Sequence, residues 1–210
     1  MKTIGIVDYG MGNLRSVQKA LEKIGAKAVV TDSPRTLKRA DAVVLPGVGA
    51  FGEAMKRLHS EGIIPVLRQH ISLQKPFLGI CLGLQLLFDS SAESPGIAGL
   101  GIFRGTNRRF QLRSKNLKVP HMGWNGLIQN NSNPTPLFNG IGADESFYFV
   151  HSFFPEPKDE SLIATKTEYG QTFCSAIARG RLFACQFHPE KSGDAGLQIL
   201  RNFFSLVSAC

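Results

Sequence analysis

Short apolar runs alternate with stretches of helical periodicity through the first 90 residues. The predicted strands are residues 3–10, 26–31, 41–47 and 76–80. The predicted helices are residues 13–25, two stretches within 51–72 that break near Gly62 and Pro65, and residues 82–90. Asn13 and Gly25 are the start and stop signals of the first helix. Strands that alternate with helices indicate a parallel sheet with helices on both faces.

The second half of the chain changes to short strands separated by turn residues. The predicted strands lie within residues 101–105, 119–128, 146–154, 162–169, 172–180 and 182–190. Residues 193–208 close the chain as an amphipathic helix. We therefore predict an α/β fold in one domain, residues 1–210. A mostly parallel central sheet flanked by helices carries an additional antiparallel strand layer in the C-terminal half.

Composition fits a globular protein of the cytoplasm. Of the 210 residues, 43% are hydrophobic and 19% are charged, and the apolar runs are too short to span a membrane. The apolar stretch at the N-terminus is too short for a signal peptide, and Asp8 interrupts it. The four cysteines lack C-x-x-C spacing, so we expect reduced thiols.

Charge is unevenly distributed along the chain. The formal net charge is +8, and residues 94–143 contain no Asp or Glu. Within them, residues 104–118 carry Arg104, Arg108, Arg109, Arg113, Lys115 and Lys118. We interpret this segment as a solvated basic edge; the alternative is a surface for an anionic ligand or an acidic partner. Aromatic residues are sparse there and no binding motif is present, so we expect no nucleic-acid partner.

Cys81 lies at a predicted strand-to-helix corner with a glycine two residues to either side. A nucleophile on such a sharp turn leaves no room for side chains at positions 79 and 83. The helix predicted to begin near Leu82 would direct its free N–H groups and positive dipole end at the sulfur and favour the thiolate. The Leu82 N–H would also stabilise an oxyanion. The alternative is a buried cysteine beside packing glycines.

A cysteine nucleophile needs a base and a group that orients the base. His59 and His70 fall on predicted helices, where we expect them to face solvent. His188 ends an apolar strand, and Glu190 lies two residues later, on the same side of an extended segment. Such a carboxylate fixes the imidazole tautomer and stabilises the imidazolium. The candidate catalytic residues are therefore Cys81, His188 and Glu190.

A second glycine-rich turn occupies residues 45–54. Gly47 and Gly49 leave the backbone free to present N–H groups to an anion, or to flip a peptide plane between two states. The turn lacks the spacing of a phosphate-binding loop, and residues 10–13 lack the third glycine of a dinucleotide fingerprint. We expect no nucleotide, cofactor or metal.

Three motifs in this order resemble those of the class I glutamine amidotransferases: PGVGAF (46–51), GICLGLQ (79–85) and FHPEKS (187–192). With IVDYGMGNLRSV (6–17), VPHMGWN (119–125) and YFVHSF (148–153), the chain resembles the glutaminase subunits of imidazole glycerol phosphate synthase. The resemblance covers essentially the full chain. It implies hydrolysis of glutamine through a Cys81 thioester, with the ammonia passed to a synthase that acts in histidine biosynthesis. The synthase product would be imidazole glycerol phosphate together with an aminoimidazole carboxamide ribonucleotide.

The resemblance also implies roles for further residues. The oxyanion hole would be formed by Val48, Gly49 and Leu82. The glutamine-binding residues would be Gly49, Gln85, His151, Ser152 and Phe153. The partner, a (β/α)8-barrel synthase subunit in a heterodimer, would be contacted by Asn13, Met122, Trp124 and Lys191. Phe153 departs from the family, which often has tyrosine there.

Three alternatives remain open from the residues. A paralogous glutaminase could feed another synthase, for example one that amidinates a sugar, with the same catalytic residues. A free-standing cysteine hydrolase would need no docking segment and would be active alone. A non-enzymatic binding module would be expected to lack one of the three catalytic side chains, and all three are present.

Overall fold

The fold, given by a computed structural model that describes residues 2–112 and 116–208, is built on an eight-stranded sheet. Its first four strands are parallel. They are β1 (Thr3–Val7), β2 (Lys27–Thr31), β3 (Ala42–Gly47) and β4 (Phe77–Cys81). These strands are rich in β-branched and apolar residues because helices cover both of their faces.

The remaining strands extend this sheet and form two smaller ones. They are β5 (Phe88–Ser91), β6 (Phe103–Arg109), β7 (His121–Gly126), β8 (Ile128–Gln129), β9 (Ser146–His151), β10 (Phe153–Pro157), β11 (Ile163–Glu168), β12 (Thr172–Arg179) and β13 (Leu182–Cys185). The main sheet has the order β2-β1-β3-β4-β13-β12-β11-β8. Strand β13 is parallel to β4, and β12, β11 and β8 continue antiparallel. Separate sheets are formed by β10-β6-β5 and by the antiparallel ribbon β7–β9. The predicted fold class is confirmed.

Helices pack on the two faces of the main sheet. They are α1 (Leu14–Lys23), α2 (Pro34–Arg39), α3 (Phe51–Ser60), α4 (Ile64–Ser72), α5 (Leu82–Gln85) and α6 (Gly193–Ser208). Alternate residues of β3 enter two separate cores. Ala42 and Val44 pack in the core that contains side chains of α1 and α6, whereas Val43 and Leu45 pack in the core that contains side chains of α3 and α4.

The helix predicted at 82–90 is wrong in its length. Only Leu82–Gln85 is helical, and Phe88–Ser91 forms β5, parallel to β6. The apolar run 86–88 is completely buried, which a strand satisfies as well as a helix. A helix of one turn carries a small dipole, so the predicted helical stabilisation of a Cys81 thiolate loses most of its basis.

Two further predictions concern single side chains. His59 is exposed as expected, but His70 is buried, and its Nε2 lies 3.3 Å from Pro76 O. Burial lowers the pKa of His70 to about 4, so the ring is neutral at pH 7. Asn13 precedes α1 as predicted, but its side chain makes no capping bond to the helix backbone.

The basic segment is only partly described. Arg113 and Lys115 lie outside the described residues, as does Cys210. Arg108 Nε forms a salt bridge of 2.6 Å with Glu156 Oε2, and both side chains are exposed. None of the helices in the described ranges is both long enough and apolar enough to cross a membrane.

Candidate active site

Three neighbouring parallel strands place the candidate residues together, at the carboxyl ends of the strands. Cys81, the last residue of β4, pairs with Gly47, the last residue of β3. On its other side, β4 pairs with β13, and the chain after β13 leads to His188. Cys81 has the backbone angles φ 54° and ψ −107°, a strained conformation for a side chain with a Cβ. This strain is typical of a nucleophile elbow.

The glycines at 79 and 83 are required by close backbone contacts. A Cβ on Gly79 would lie 2.9 Å from Gly83 O and 3.0 Å from Ala184 Cβ. A Cβ on Gly83 would lie 1.8 Å from Leu45 O, inside any permitted contact distance. The short helix therefore packs directly against β3 and β4, which holds Cys81 at the edge of the sheet.

We expect Gly83→Ala to lower the free energy of unfolding by about 3 kcal/mol or more, because the backbone atom it meets cannot rotate away. The matched control is Gly126→Ala, since a Cβ on Gly126 meets nothing within 4 Å and its φ is not positive. Urea unfolding of both variants measures the difference. Equal stabilities would contradict the close contact at Gly83.

His188 and Glu190 form a buried pair. His188 Nδ1 lies 2.8 Å from Glu190 Oε1, and the side chains are 2% and 1% exposed. The backbone differs from the prediction, because Pro189–Lys191 is a 3₁₀ turn and not an extended segment. The turn nevertheless folds the carboxylate back onto the imidazole.

Cys81 and Glu190 together set the charge of His188. Burial lowers the pKa of His188, but the interactions with Cys81 and Glu190 outweigh burial and raise this pKa to about 10. His188 Nε2 makes no hydrogen bond of normal geometry to the described residues. The ring is therefore held by Nδ1 and keeps Nε2 available for proton exchange with a reacting group.

Gln186, which was not predicted from the sequence, is buried beside the sulfur of Cys81. Its Nε2 lies 3.6 Å from Cys81 Sγ, and its Oε1 accepts from Gln85 Nε2 at 3.1 Å. Gln186 is 0% exposed. The sequence does contain a signal for Gln186, because it is an amide side chain at the end of an otherwise apolar strand. A buried amide needs hydrogen-bond partners, which in this fold lie at the candidate site.

A cavity of about 340 Å³ opens beside Cys81. It brings together most of the predicted site residues. Its lining is Val48, Gly49, Cys81, Leu82, Gln85, Glu93, Pro120, Val150, His151, Ser152 and Phe153. Glu93 was not predicted; its Oε2 accepts from Phe51 N at 2.7 Å. Within the described ranges, no group of three or more His, Cys, Asp or Glu side chains is arranged to hold a metal ion.

Residues 151–153, here called the pocket segment, line the cavity, and a backbone carbonyl connects them to Gln85. Phe153 O accepts from Gln85 Nε2 at 2.9 Å and lies 2.8 Å from His151 Nδ1. These contacts use the carbonyl of Phe153, so the phenylalanine in place of tyrosine does not affect them.

The turn after β3 packs on the loop after β1. Gly49 has φ 95°, a conformation that favours glycine, and a Cβ there would lie 2.7 Å from Met11 Cε. Tyr9 donates its hydroxyl to Pro46 O at 2.9 Å, and burial raises the pKa of this phenol. The turn that carries the Val48–Gly49 peptide therefore lies beside the cavity and packs on the side chains of Tyr9 and Met11.

The predicted partner-facing residues lie on the surface. Met122 and Trp124 are 61% and 59% exposed on β7. Trp124 contacts Tyr148 edge-on, and Lys191 Nζ lies 5.8 Å from the same Tyr148 ring. Asn13 is exposed immediately before α1, and helix α1 packs on the 3₁₀ turn that carries Lys191.

Comparison with known proteins gives consistent results. The model of the glutamine amidotransferase class-I family matches residues 5–207. An imidazole glycerol phosphate synthase subunit HisH from Thermosynechococcus vestitus is 54% identical over 205 residues, which cover 97% of each chain. The protein of the same name from Methanothermobacter thermautotrophicus is 52% identical over 206 residues, which cover 98% of this chain and all of the relative.

Solved structures share the fold at low sequence identity. The structure of PurLQS from Thermotoga maritima has a TM-score of 0.71 at 20% identity and covers 99% of this chain and 98% of its own. The CTPS glutaminase domain from Trypanosoma brucei has a TM-score of 0.70 at 16% identity and covers 100% of this chain and 94% of its own. With a family match over nearly the whole length and close relatives of equal length, this chain belongs to the class-I glutamine amidotransferase family.

Proposed function

We propose that this chain is the glutaminase subunit of an imidazole glycerol phosphate synthase, folded as one domain over residues 1–210. It hydrolyses glutamine to glutamate and ammonia, and the ammonia is used by a synthase subunit in histidine biosynthesis. The observation that carries the proposal is the buried His188–Glu190 pair beside Cys81, whose own side chain lines a cavity of about 340 Å³. The names of the relatives supply the synthase.

Hydrolysis begins with attack of Cys81 Sγ on the side-chain carbonyl carbon of glutamine. His188 holds the proton lost by the thiol, and Glu190 stabilises the resulting imidazolium through Nδ1. The carbonyl oxygen becomes an oxyanion, which the Leu82 N–H and a peptide N–H of the Val48–Gly49 turn stabilise.

The tetrahedral intermediate collapses by breaking the carbon–nitrogen bond. His188 Nε2 gives its proton to the departing nitrogen, which leaves as ammonia, and a glutamyl thioester remains on Cys81. His188 then removes a proton from water, whose oxygen attacks the thioester carbon. Glutamate departs and the thiol is restored, so the reaction needs no cofactor.

The cavity lining matches the remaining groups of glutamine. Gln85, Gly49 and the pocket segment offer amide donors and carbonyl acceptors of the kind that hold a polar substrate. Glu93 is the acidic side chain of the lining and would pair with the α-ammonium group. Both features favour a free amino acid as substrate.

The partner is proposed to be a (β/α)8-barrel subunit in a heterodimer. It would seat on Asn13, Met122, Trp124 and Lys191. Two exposed apolar side chains on one strand, flanked by polar residues, are typical of a protein interface. A paralogous glutaminase that supplies ammonia to a different synthase would use the same catalytic residues. The identity of the neighbouring synthase gene would distinguish the two.

We expect the chain alone to hydrolyse glutamine slowly and the synthase subunit to activate it. Absence of one oxyanion donor slows such reactions by roughly a hundred- to a thousand-fold, so a flip of the Val48–Gly49 peptide would supply this difference. Partner binding activates only if the partner binds the productive state more tightly. Glutamate release is measured for the chain alone, with the synthase subunit, and with subunit plus an acceptor analogue. Equal rates in all three would favour the free-standing cysteine hydrolase.

A further inference from the structure

A series of side-chain hydrogen bonds connects the end of β11 to the pocket segment. Asn125 Nδ2 donates to Glu168 O at 2.9 Å and also lies 3.3 Å from His121 Nε2. His121 Nδ1 lies 3.1 Å from His151 Nε2. His151 Nδ1 lies 2.8 Å from Phe153 O. We call this series the imidazole relay.

The direction of the imidazole relay follows from its end at Phe153. A carbonyl oxygen only accepts, so His151 Nδ1 carries a hydrogen. A neutral His151 then has a bare Nε2, which accepts from His121 Nδ1. A neutral His121 in turn has a bare Nε2, which needs a donor. Each tautomer is fixed by the previous one.

The opposite end gives the same assignment independently. Glu168 O is also a carbonyl, so it requires the nitrogen of the Asn125 amide to face it. That nitrogen has a second hydrogen, which points to the bare His121 Nε2 at 3.3 Å. Asn125 Oδ1 accepts from Gly126 N at 2.8 Å, which also fixes the amide orientation. Every donor therefore meets an acceptor.

Burial keeps both rings neutral. His121 is 2% and His151 is 6% exposed. Burial lowers the pKa of His121 to about 4 and that of His151 to about 3, so neither ring is charged at pH 7. His121 is stacked between Tyr169 and Phe149, at ring-centroid distances of 4.0 and 4.9 Å, and this packing restrains its rotation.

We propose that His121 and Asn125 are positioning residues that hold the pocket segment in its glutamine-binding conformation through the imidazole relay. This inference rests on the proposed function. Phe153 O joins the imidazole relay to the pocket, because it accepts hydrogen bonds from both His151 Nδ1 and Gln85 Nε2. Strand β7 then serves two roles. Met122 and Trp124 are exposed on its outer side, where the partner is proposed to bind, and His121 is buried on its inner side as part of the imidazole relay.

The test separates hydrogen bonding from packing with two substitutions at one position. His121→Phe keeps an aromatic ring between Tyr169 and Phe149 but leaves His151 Nε2 without a donor. His121→Asn loses packing volume but keeps a nitrogen donor at the δ position. Both variants are assayed in complex with the synthase subunit, and their melting temperatures are measured in parallel.

We expect the KM for glutamine to depend on whether residue 121 has a hydrogen-bond donor at its δ position. We expect it not to follow the melting temperatures of the variants. Loss of one buried hydrogen bond that leaves an unpaired acceptor weakens binding by roughly ten-fold or more. His121→Phe should therefore raise KM about ten-fold, with a smaller effect on kcat, whereas His121→Asn should stay within about two- to three-fold of the unmodified chain. Asn125→Asp, which replaces the donor nitrogen by an acceptor, should raise KM in the same direction.

A spectroscopic measurement tests the imidazole relay independently of any enzyme assay. Nitrogen spectra of protein labelled with ¹⁵N-histidine at pH 7 should show His121 and His151 both neutral and both protonated at Nδ1. A charged ring, or a hydrogen on His151 Nε2, would overturn the imidazole relay. Normal turnover with an unchanged KM in His121→Phe, or a KM that follows melting temperature, would overturn the positioning role alone. Absence of glutamine hydrolysis by the unmodified complex would overturn the proposed function and the positioning role together.

Discussion

Replacement of Cys81 by alanine should lower the rate of glutamine hydrolysis in the complex by about 10⁶-fold, the scale seen when a covalent nucleophile is removed. The thioester cannot form without the sulfur, and the remaining groups only stabilise direct attack by water. Glutamine binding should change little, because Gln85, Glu93 and the pocket segment stay in place. Single-turnover assays and equilibrium binding of glutamine measure the two effects separately.

The matched control is Cys174→Ala. Cys174 is buried in β12, and burial raises the pKa of its thiol to about 12, so it is an inert packing residue. Its variant should keep the rate of the unmodified chain even if stability falls. A glutamine-like electrophile should alkylate Cys81 and spare Cys174 and Cys185. A Cys81→Ala complex with a near-normal rate would refute the assignment of the nucleophile.

Replacement of His188 by alanine should approach the loss expected for Cys81→Ala, since a nucleophile and its base act as one unit. Glu190→Gln keeps the shape of the side chain but removes its charge, and should cost less, about 10⁴-fold. The same substitution should lower the pKa of His188, because the carboxylate is one of the interactions that raise it to about 10. Ring titration by NMR in the Glu190→Gln variant checks the direction of that shift.

The double variant His188→Ala/Glu190→Gln distinguishes a shared role from separate roles. If Glu190 acts through His188, the double variant should be scarcely slower than His188→Ala. The 2.8 Å contact between Nδ1 and Oε1 is the structural basis for this expectation. Losses that multiply would show that Glu190 has a function independent of the imidazole.

The elbow was predictable because its requirements are local. Glycines at 79 and 83, a strand before Cys81 and a turn after it follow from a few residues of sequence, and their contacts explain both glycines. The helix at 82–90 was mispredicted because a fully apolar run has no period that separates strand from helix. Whether residues 86–91 become helix or β5 depends on β6, which lies more than ten residues later.

The pocket was predictable only in part because its walls come from distant segments. His188 and Glu190 were predicted from their spacing, although the backbone between them turns instead of extending. Gln186 and Glu93 reach the site through tertiary contacts that no short pattern encodes. His70 was misplaced for a similar reason: its helix packs on a core that covers its histidine as well as its apolar residues.

The position of β13 in the sheet has a consequence for how the chain is made. Strand β4 ends at residue 81, but its neighbour β13 begins only at residue 182. On the ribosome, β4 therefore emerges long before the strand that completes its hydrogen bonds, and its uncovered edge is open to wrong pairing during that interval. His188 and Glu190 arrive with the same late segment, so nascent chains carry the cysteine without its base. Catalysis by Cys81, His188 and Glu190 together therefore cannot begin before the last strand of the sheet, β13, has been synthesised.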